Sequence, residues 1–476
     1  MKALQSQKIL ALFLGIFFST AFALKHPDLV TAAERSPLAD GGAGTARPIA
    51  ASPTAAKPVG LDAVQLGRSL DRGDVAGGIQ QIELGWKRQF ENYYQGKLTS
   101  RLLNVEQIVR VLEKNHRESG QKAALIYAVP ATNHLELILV APGGPPVHRR
   151  VTAANRDALA AMTKAFRNEV ANPSNFNGAY LPSARALYQW TIAPLEPDLK
   201  ARGINSLIFC LGKGLRGLPL AALHDGQQFL VEKYSLSIIP AFNLLDNRVS
   251  KLQNVYVLAM GASEFKDKSA LPGVPLELST IVNRLGRGER WLNQDFTLAN
   301  LKARRDIYPF EIVHFATHAK FLPGDVTQSY IQFWDDQLRQ DRFKSLGLRS
   351  PAVQLLVLSA CQTALGDAQA ELGFAGLAVQ SGSKAALASL WAVSDTGTLA
   401  LMSEFYRQIP SASIKADALR KTQIAMLKGR LNLRGAAQPS PSRTGQAPTS
   451  ANAAPEVVDY THPYYWSAFT LVGNPW

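Results

Sequence analysis

The sequence predicts an α/β protein, a mainly parallel sheet flanked by helices on both faces and preceded by a small helical segment. Three observations predict it. Strand-like and helix-like segments alternate along most of the chain beyond residue 120. Two of the strand segments, Val353 to Leu358 and Ala385 to Leu390, are apolar at nearly every position rather than at alternate ones, the mark of strands covered on both faces. With 476 residues, 46% hydrophobic and 18% charged, the chain can bury a large core, which excludes collagenous, fully disordered and disulfide-stapled classes.

The elements follow in order. Lys2 and Lys8 flank the start of an apolar stretch, Ile9 to Ala23, that ends in Ala21-Phe22-Ala23, the small-x-small pattern of a signal peptide over residues 1–23. That stretch falls short of the roughly 20 residues needed to span hydrocarbon, so no stable membrane anchor is expected once the leader is cleaved. The expected destination is export, to the periplasm or the extracellular space. Residues 24–60, rich in Ala, Pro and Gly, read as a disordered linker. A helical segment over 61–118 follows. Ile79, Ile82, Trp86, Phe90 and Tyr93 recur at three- and four-residue steps, and Asn104 with Gln107 has the form of a capping box.

From residue 119 to 476 the pattern is that of one α/β domain. Ala123 to Val129 and Leu135 to Val140 predict a hairpin. Helices are expected near 157–171, 183–201, 275–285, 371–381, 396–409 and 413–428, with strands at 206–211, 234–239, 255–260, 311–317, 353–359, 384–391 and 468–472. A low-complexity insert at 435–455 precedes the last strand.

Charge and cysteine content narrow the partners. The net charge is +14, yet Lys and Arg are scattered with no basic block interleaved with aromatics, so nucleic acid is not an expected partner. Cys210 and Cys361 are the only cysteines, too few for a disulfide framework or a four-sulfur zinc site, and neither a metal nor another cofactor is expected. Gly212, Gly214 and Gly217 after an apolar strand match the spacing of a dinucleotide loop. Pro219 follows at once, no helix opens at the third glycine, and they read as a turn.

The stronger constellation is a histidine and a cysteine, each at the carboxyl end of a buried strand: Ile312-Val313-His314-Phe315-Ala316-Thr317-His318, and Leu355-Leu356-Val357-Leu358-Ser359-Ala360-Cys361. In open parallel sheets the reactive crevice lies just beyond such ends. If the strands are neighbours, the imidazole raises the thiolate fraction of a thiol that is otherwise mostly protonated at neutral pH. Amides at Cys361 and just after His318, at Ala319, are candidates to polarise a developing oxyanion. Taken singly, each residue is as well explained by packing; their matched placement favours catalysis. His314 is assigned to packing or orientation, and Cys210 to the core.

At these residues the sequence resembles the CHAT domain family. The resemblance rests on His314-Phe315-Ala316-Thr317-His318, on Leu358-Ser359-Ala360-Cys361-Gln362-Thr363, and on Ala388-Ser389-Leu390-Trp391 with Asp395. It also rests on His462-Pro463-Tyr464-Tyr465-Trp466 and on the earlier Gly214 to Leu223 run. It implies a caspase-like fold in the clan of separase and gingipains, and peptide hydrolysis by a His-Cys dyad. His318 would be the general base and acid, and Cys361 the nucleophile. Asp395 would be a substrate contact suited to a basic residue before the scissile bond, or else a plain helix cap. The implied partner is a protein or peptide substrate; the sequence leaves the oligomeric state open. Where the family commonly has glycine, Ala319 follows the histidine, which bears on oxyanion geometry. The competing expectation is an inactive pseudopeptidase that serves as a protein-interaction scaffold.

Overall fold

In the computed structural model, residues 60–175, 177–250, 252–363, 367–431 and 459–476 are described, without the side chains of residues 360–363. The expected signal peptide over 1–23, all of the 24–60 linker except Gly60, and the 435–455 insert lie outside the described residues. The described residues belong to one compact unit.

Three helices come first: α1 (Ala63–Asp71), α2 (Val75–Tyr93) and α3 (Val105–Ser119). They are followed by β1 (Ala123–Pro130), β2 (Leu135–Val140), β3 (Val147–Val151), α4 (Arg156–Val170), α5 (Leu181–Thr191), α6 (Glu196–Ala201), β4 (Ser206–Leu211), α7 (Leu230–Lys233) and β5 (Ser235–Ile239). The second half runs β6 (Val257–Gly261), α8 (Val274–Leu285), β7 (Gly288–Leu292), α9 (Leu298–Ile307), β8 (Ile312–Phe321), β9 (Tyr330–Gln332), β10 (Gln337–Arg339) and β11 (Leu355–Thr363). It closes with α10 (Ala368–Ala375), α11 (Leu377–Ser381), β12 (Ala385–Ser389), α12 (Asp395–Gln408), α13 (Lys415–Leu427), α14 (Pro463–Trp466) and β13 (Phe469–Gly473).

The strands join in one sheet, the mainly parallel, helix-flanked architecture that the apolar runs predict. Along its main path the order is β10-β9-β8-β11-β12-β13-β5-β4-β1-β2-β3. It contains two parallel blocks. One is β7-β6-β8-β11-β12, the other β13-β5-β4-β1, and the antiparallel β12–β13 pair joins them. All five residues of β12 and all six of β4 are buried, as strands covered on both faces require.

Local differences from the expected elements have physical causes. The helix expected at 183–201 breaks into α5, a single 3-10 turn and α6, with Pro194 and Pro197 each in the first positions of the new segment, where a missing N–H costs nothing. Helix α10 starts at Ala368 because the Asp367 carboxylate accepts from the amides of Gln369 and Ala370. It gives way to α11 at Gly376, where a Cβ would lie 1.8 Å from the Tyr94 hydroxyl. Strand β8 runs to Phe321 rather than 317 because its partner changes along one edge: β6 pairs with Ile312 to Ala316, then β9 with Ala319 and Lys320.

The first helices pack into the same core as the sheet. In α2, Ile79, Ile82, Trp86 and Phe90 are buried, as their spacing predicts. The Asn104–Gln107 capping box is present at the start of α3, each side chain bonding the other's backbone amide. The tie between α2 and the sheet is Glu83, 1% exposed. Its carboxylate accepts from Tyr127 Oη of β1 at 2.7 Å and from the amides of Phe242 and Asn243 at 2.9 and 3.0 Å. Burial pushes its pKa up, against the opposing pull of these donors. Three donors from two separate segments thus converge on one buried acid. Replacing Glu83 by alanine strands them all, and we expect a loss of about 3 kcal/mol in urea unfolding, with Glu83→Gln, which keeps one acceptor oxygen, losing less.

Candidate active site

The parallel ladder between β8 and β11 brings the histidine and cysteine strands side by side. His318 is the Cα partner of Ala360, and Cys361 is the partner of Ala319, one residue further on. Neighbouring strands lie about 5 Å apart, so the two candidate positions are adjacent in backbone terms. The Cys361 side chain is outside the described residues. Between Leu358 and Ala360 the register slips, three steps on β8 from Phe315 to His318 answering two on β11. Such a bulge re-aims the side chains that follow it and is common beside functional sites.

The His318 imidazole is half-buried and held from above by the segment joining β6 to α8. Its Nε2 lies 2.9 Å from the Ser269 carbonyl oxygen, and the Phe265 ring packs against it with centroids 4.7 Å apart. A carbonyl can only accept, so Nε2 carries the hydrogen. In the neutral ring the lone pair is therefore on Nδ1, and Nδ1 is the basic atom. Burial lowers the pKa of His318; Ser269 opposes that, and the nearby charges of Lys268 and Lys320 add to the depression. The ring is thus kept neutral, the form a general base needs.

His314 sits deeper on the same strand and is fully buried. Its Nδ1 is 3.0 Å from Tyr406 Oη of α12, and its Nε2 is 3.1 Å from a carboxylate oxygen of Glu277 on α8. This is the packing and orientation role expected of it. Cys210 is buried in β4, with its Sγ 3.5 Å from the Pro240 carbonyl oxygen, a core residue as expected.

Ala319 is 2% exposed and lies in β8 between Cys361 of β11 and Ile331 of β9. Its φ is not positive, so alanine fits this extended backbone without strain.

Asp395 is the first residue of α12, and the cap is Ser394, whose Oγ accepts from the Gly397 amide at 3.2 Å. The plain-cap alternative for Asp395 is therefore corrected: a serine one residue earlier already occupies that position. The Asp395 carboxylate instead accepts from the Gly273 amide at 2.5 Å, and Gly273 is the cap residue of α8. Burial raises the Asp395 pKa and the nearby Glu277 carboxylate adds to the rise, while the Gly273 amide opposes both. Asp395 thus anchors one end of the segment whose carbonyl at Ser269 orients His318.

The C-terminal motif proves architectural. His462 Nδ1 accepts from the Tyr464 amide at 3.1 Å, and Trp391 Nε1 donates to the Tyr464 carbonyl at the same distance. Gln423 of α13 donates to the carbonyls of Trp466 and Phe469. Sequence reasoning missed Ser269, Phe265, Lys268 and Lys320. Ser269 acts through its backbone, which no residue pattern encodes. Among the described residues no group of three or more His, Cys, Asp or Glu side chains is placed to hold a metal ion.

A family model for the CHAT domain matches residues 181–474. No curated protein matches the chain. Among solved structures, two Saccharomyces cerevisiae separase–securin complexes are similar at 11% and 10% identity. Each has a TM-score of 0.47 and covers 85% of this chain but 34% of the other. The Arg-specific cysteine proteinase gingipain R is similar at 9% identity and a TM-score of 0.33, covering 67% of this chain and 74% of its own. The chain thus spans about a third of the length of the separase-complex chains it matches.

The electrostatics of His318 give a titration test. Its imidazole resonance should titrate below the ordinary histidine value of about 6.5. Lys320→Gln removes a positive charge that opposes protonation, so the midpoint should move upward. An NMR pH titration showing a midpoint above the ordinary value in the native chain would contradict the assigned burial and charge.

Proposed function

Because the chain belongs to the CHAT domain family, we propose that it is an exported, caspase-like cysteine endopeptidase, acting in the periplasm or outside the cell. The observation that supports this reading is the pairing of β8 with β11, which brings the Cys361 backbone to the position next to Ala360, the partner of a histidine already oriented by a backbone carbonyl. In the proposed reaction Nδ1 of His318 takes the Cys361 proton, and the thiolate attacks the scissile carbonyl. The imidazolium protonates the departing amine, leaving a thioester on Cys361. Water, deprotonated by the same Nδ1, then hydrolyses the thioester and the thiol is restored. Amides at Cys361 and Ala319 are the proposed donors to the tetrahedral oxyanion.

Asp395 is the proposed contact for a basic side chain before the scissile bond. The geometry of its carboxylate, tied to Gly273 at one oxygen, supports two duties for the same residue: holding the histidine-covering segment and presenting a negative charge.

The test is direct. Cys361→Ala should abolish cleavage of a diverse peptide library while leaving the thermal unfolding midpoint nearly unchanged, and a thiol-reactive peptide ketone should label Cys361 in the native chain. If the mature chain cleaves nothing and Cys361 resists the ketone, the pseudopeptidase scaffold takes its place. Below the His318 pKa the base is protonated and kcat/KM should fall, with the acid limb lying below about pH 6.5 and moving up in Lys320→Gln. Asp395→Asn keeps an acceptor for Gly273 but removes the charge. It should lower kcat/KM for Arg and Lys substrates by about tenfold or more and leave neutral ones nearly unaffected. Equal losses on both would refute the charge-reading role.

A further inference from the structure

We infer that the crevice at the carboxyl ends of β1 and β4 is a second binding site, for a small molecule with an apolar body and an anionic group such as phosphate or carboxylate. A cavity of about 560 Å³ lies there, within the size range of small-molecule sites. Its walls come from Val129 and Pro130 ending β1, the turn after β4 from Gly212 to Leu215, Trp86 and Gln89 of α2, the first turns of α4 and α10, and Gly60, Leu61 and Ala63 at the start of α1.

Topology selects this spot. β1 and β4 are parallel neighbours, and the chain leaves β1 toward β2 on one side and β4 toward β5 on the other. Where connections diverge like this, the strand ends leave a crevice that loops do not fill, and in open α/β sheets ligands bind in that crevice. The glycines whose spacing imitates a dinucleotide loop have a different use here. A Cβ at Gly212 would lie 2.6 Å from Pro130 Cδ, so glycine is needed to seat the turn against the end of β1, and Gly214 turns the chain with φ +87°.

The charge around the cavity favours an anion. Two helices, α4 and α10, begin at its wall, but their first amides are capped by the Asn155 side chain and the Asp367 carboxylate, so the attraction rests on basic side chains. Arg156 and Lys213 are exposed at the wall. Behind it Arg216, 2% exposed, donates from Nη2 to Gln89 Oε1 at 2.8 Å, while its buried Nη1 has no hydrogen-bond partner among the described residues. The Arg216 guanidinium lies 6.0 Å from the centre of the Trp86 ring, so cation and apolar surface adjoin. Of the two acids at the wall, Glu371 is bonded to Arg167 Nη1 at 3.0 Å, and Asp157 is exposed to solvent. With Glu371 paired to Arg167, Arg156 and Lys213 are the basic side chains at the wall that would meet an anionic group, and Trp86 supplies an apolar side. None of these residues takes part in the proposed peptidase reaction.

The test uses 1-naphthyl phosphate and 1-naphthol as a matched pair, with the whole mature chain, in isothermal titration calorimetry at physiological salt. The phosphate should bind once per chain with a Kd below about 1 mM, and naphthol about tenfold more weakly or not at all. Arg156→Gln/Lys213→Gln, two exposed changes whose folding is checked by the unfolding midpoint, should weaken the phosphate by about tenfold. Cys361→Ala should bind it as the native chain does, which separates this site from the peptidase reading. Absence of saturable binding up to about 5 mM phosphate ester, equal binding of naphthol, or an unchanged Kd in the folded double variant would each overturn the inference.

Discussion

The parallel ladder between β8 and β11 is the constraint on which the rest of the site depends. Parallel strands are covered on both faces and need long crossovers, so their register is fixed by burial along their whole length. Here Leu355 to Leu358 are buried beside Ile312 to Phe315, and sliding one strand by a residue would turn apolar side chains against the wrong layer. The buried lower part of the ladder thus fixes the register of the upper part, which carries His318 and Cys361. The bulge lies at the transition between them, where β8 exchanges β6 for β9 as its outer neighbour.

Above that ladder the site is organised by a short relay of backbone groups. Asp395 holds the Gly273 amide; the same segment carries Ser269, whose carbonyl fixes the His318 tautomer. Beneath it, His314 joins β8 to α8 through Glu277 and to α12 through Tyr406. The two helices contact each other, so α8, α12 and β8 position the imidazole as one body. Packed helices beneath and a main-chain acceptor above thus hold the His318 ring by its Nε2.

Much of this was legible in the sequence. The bounds of β4 could be read directly, Ser206 to Leu211, because an apolar run stands between Asn205 and the glycines. His318 and Cys361 were legible as residues of two buried strands that lie side by side, but not at the strand ends expected of them: β8 continues to Phe321 and β11 to Thr363, still paired with each other. The hairpin β9–β10 was not, since strands of three residues have no detectable period. Nor was the histidine's support, because Ser269 lies 49 residues before His318 and acts through its carbonyl. Asp395 was found for its charge, but its bond to Gly273 depends on two helix starts meeting in space, which no local pattern records.

The sheet also shows where the molecule can be divided. The family match begins at residue 181, yet β1, β2 and β3 lie before it and close one side of β4. A fragment cut at that boundary would leave β4, a buried and mostly apolar strand of six residues, with an open row of amides and carbonyls, an invitation to pair with another chain. A portion that keeps β4 paired on both edges therefore starts upstream of residue 181, with the hairpin that supplies β1.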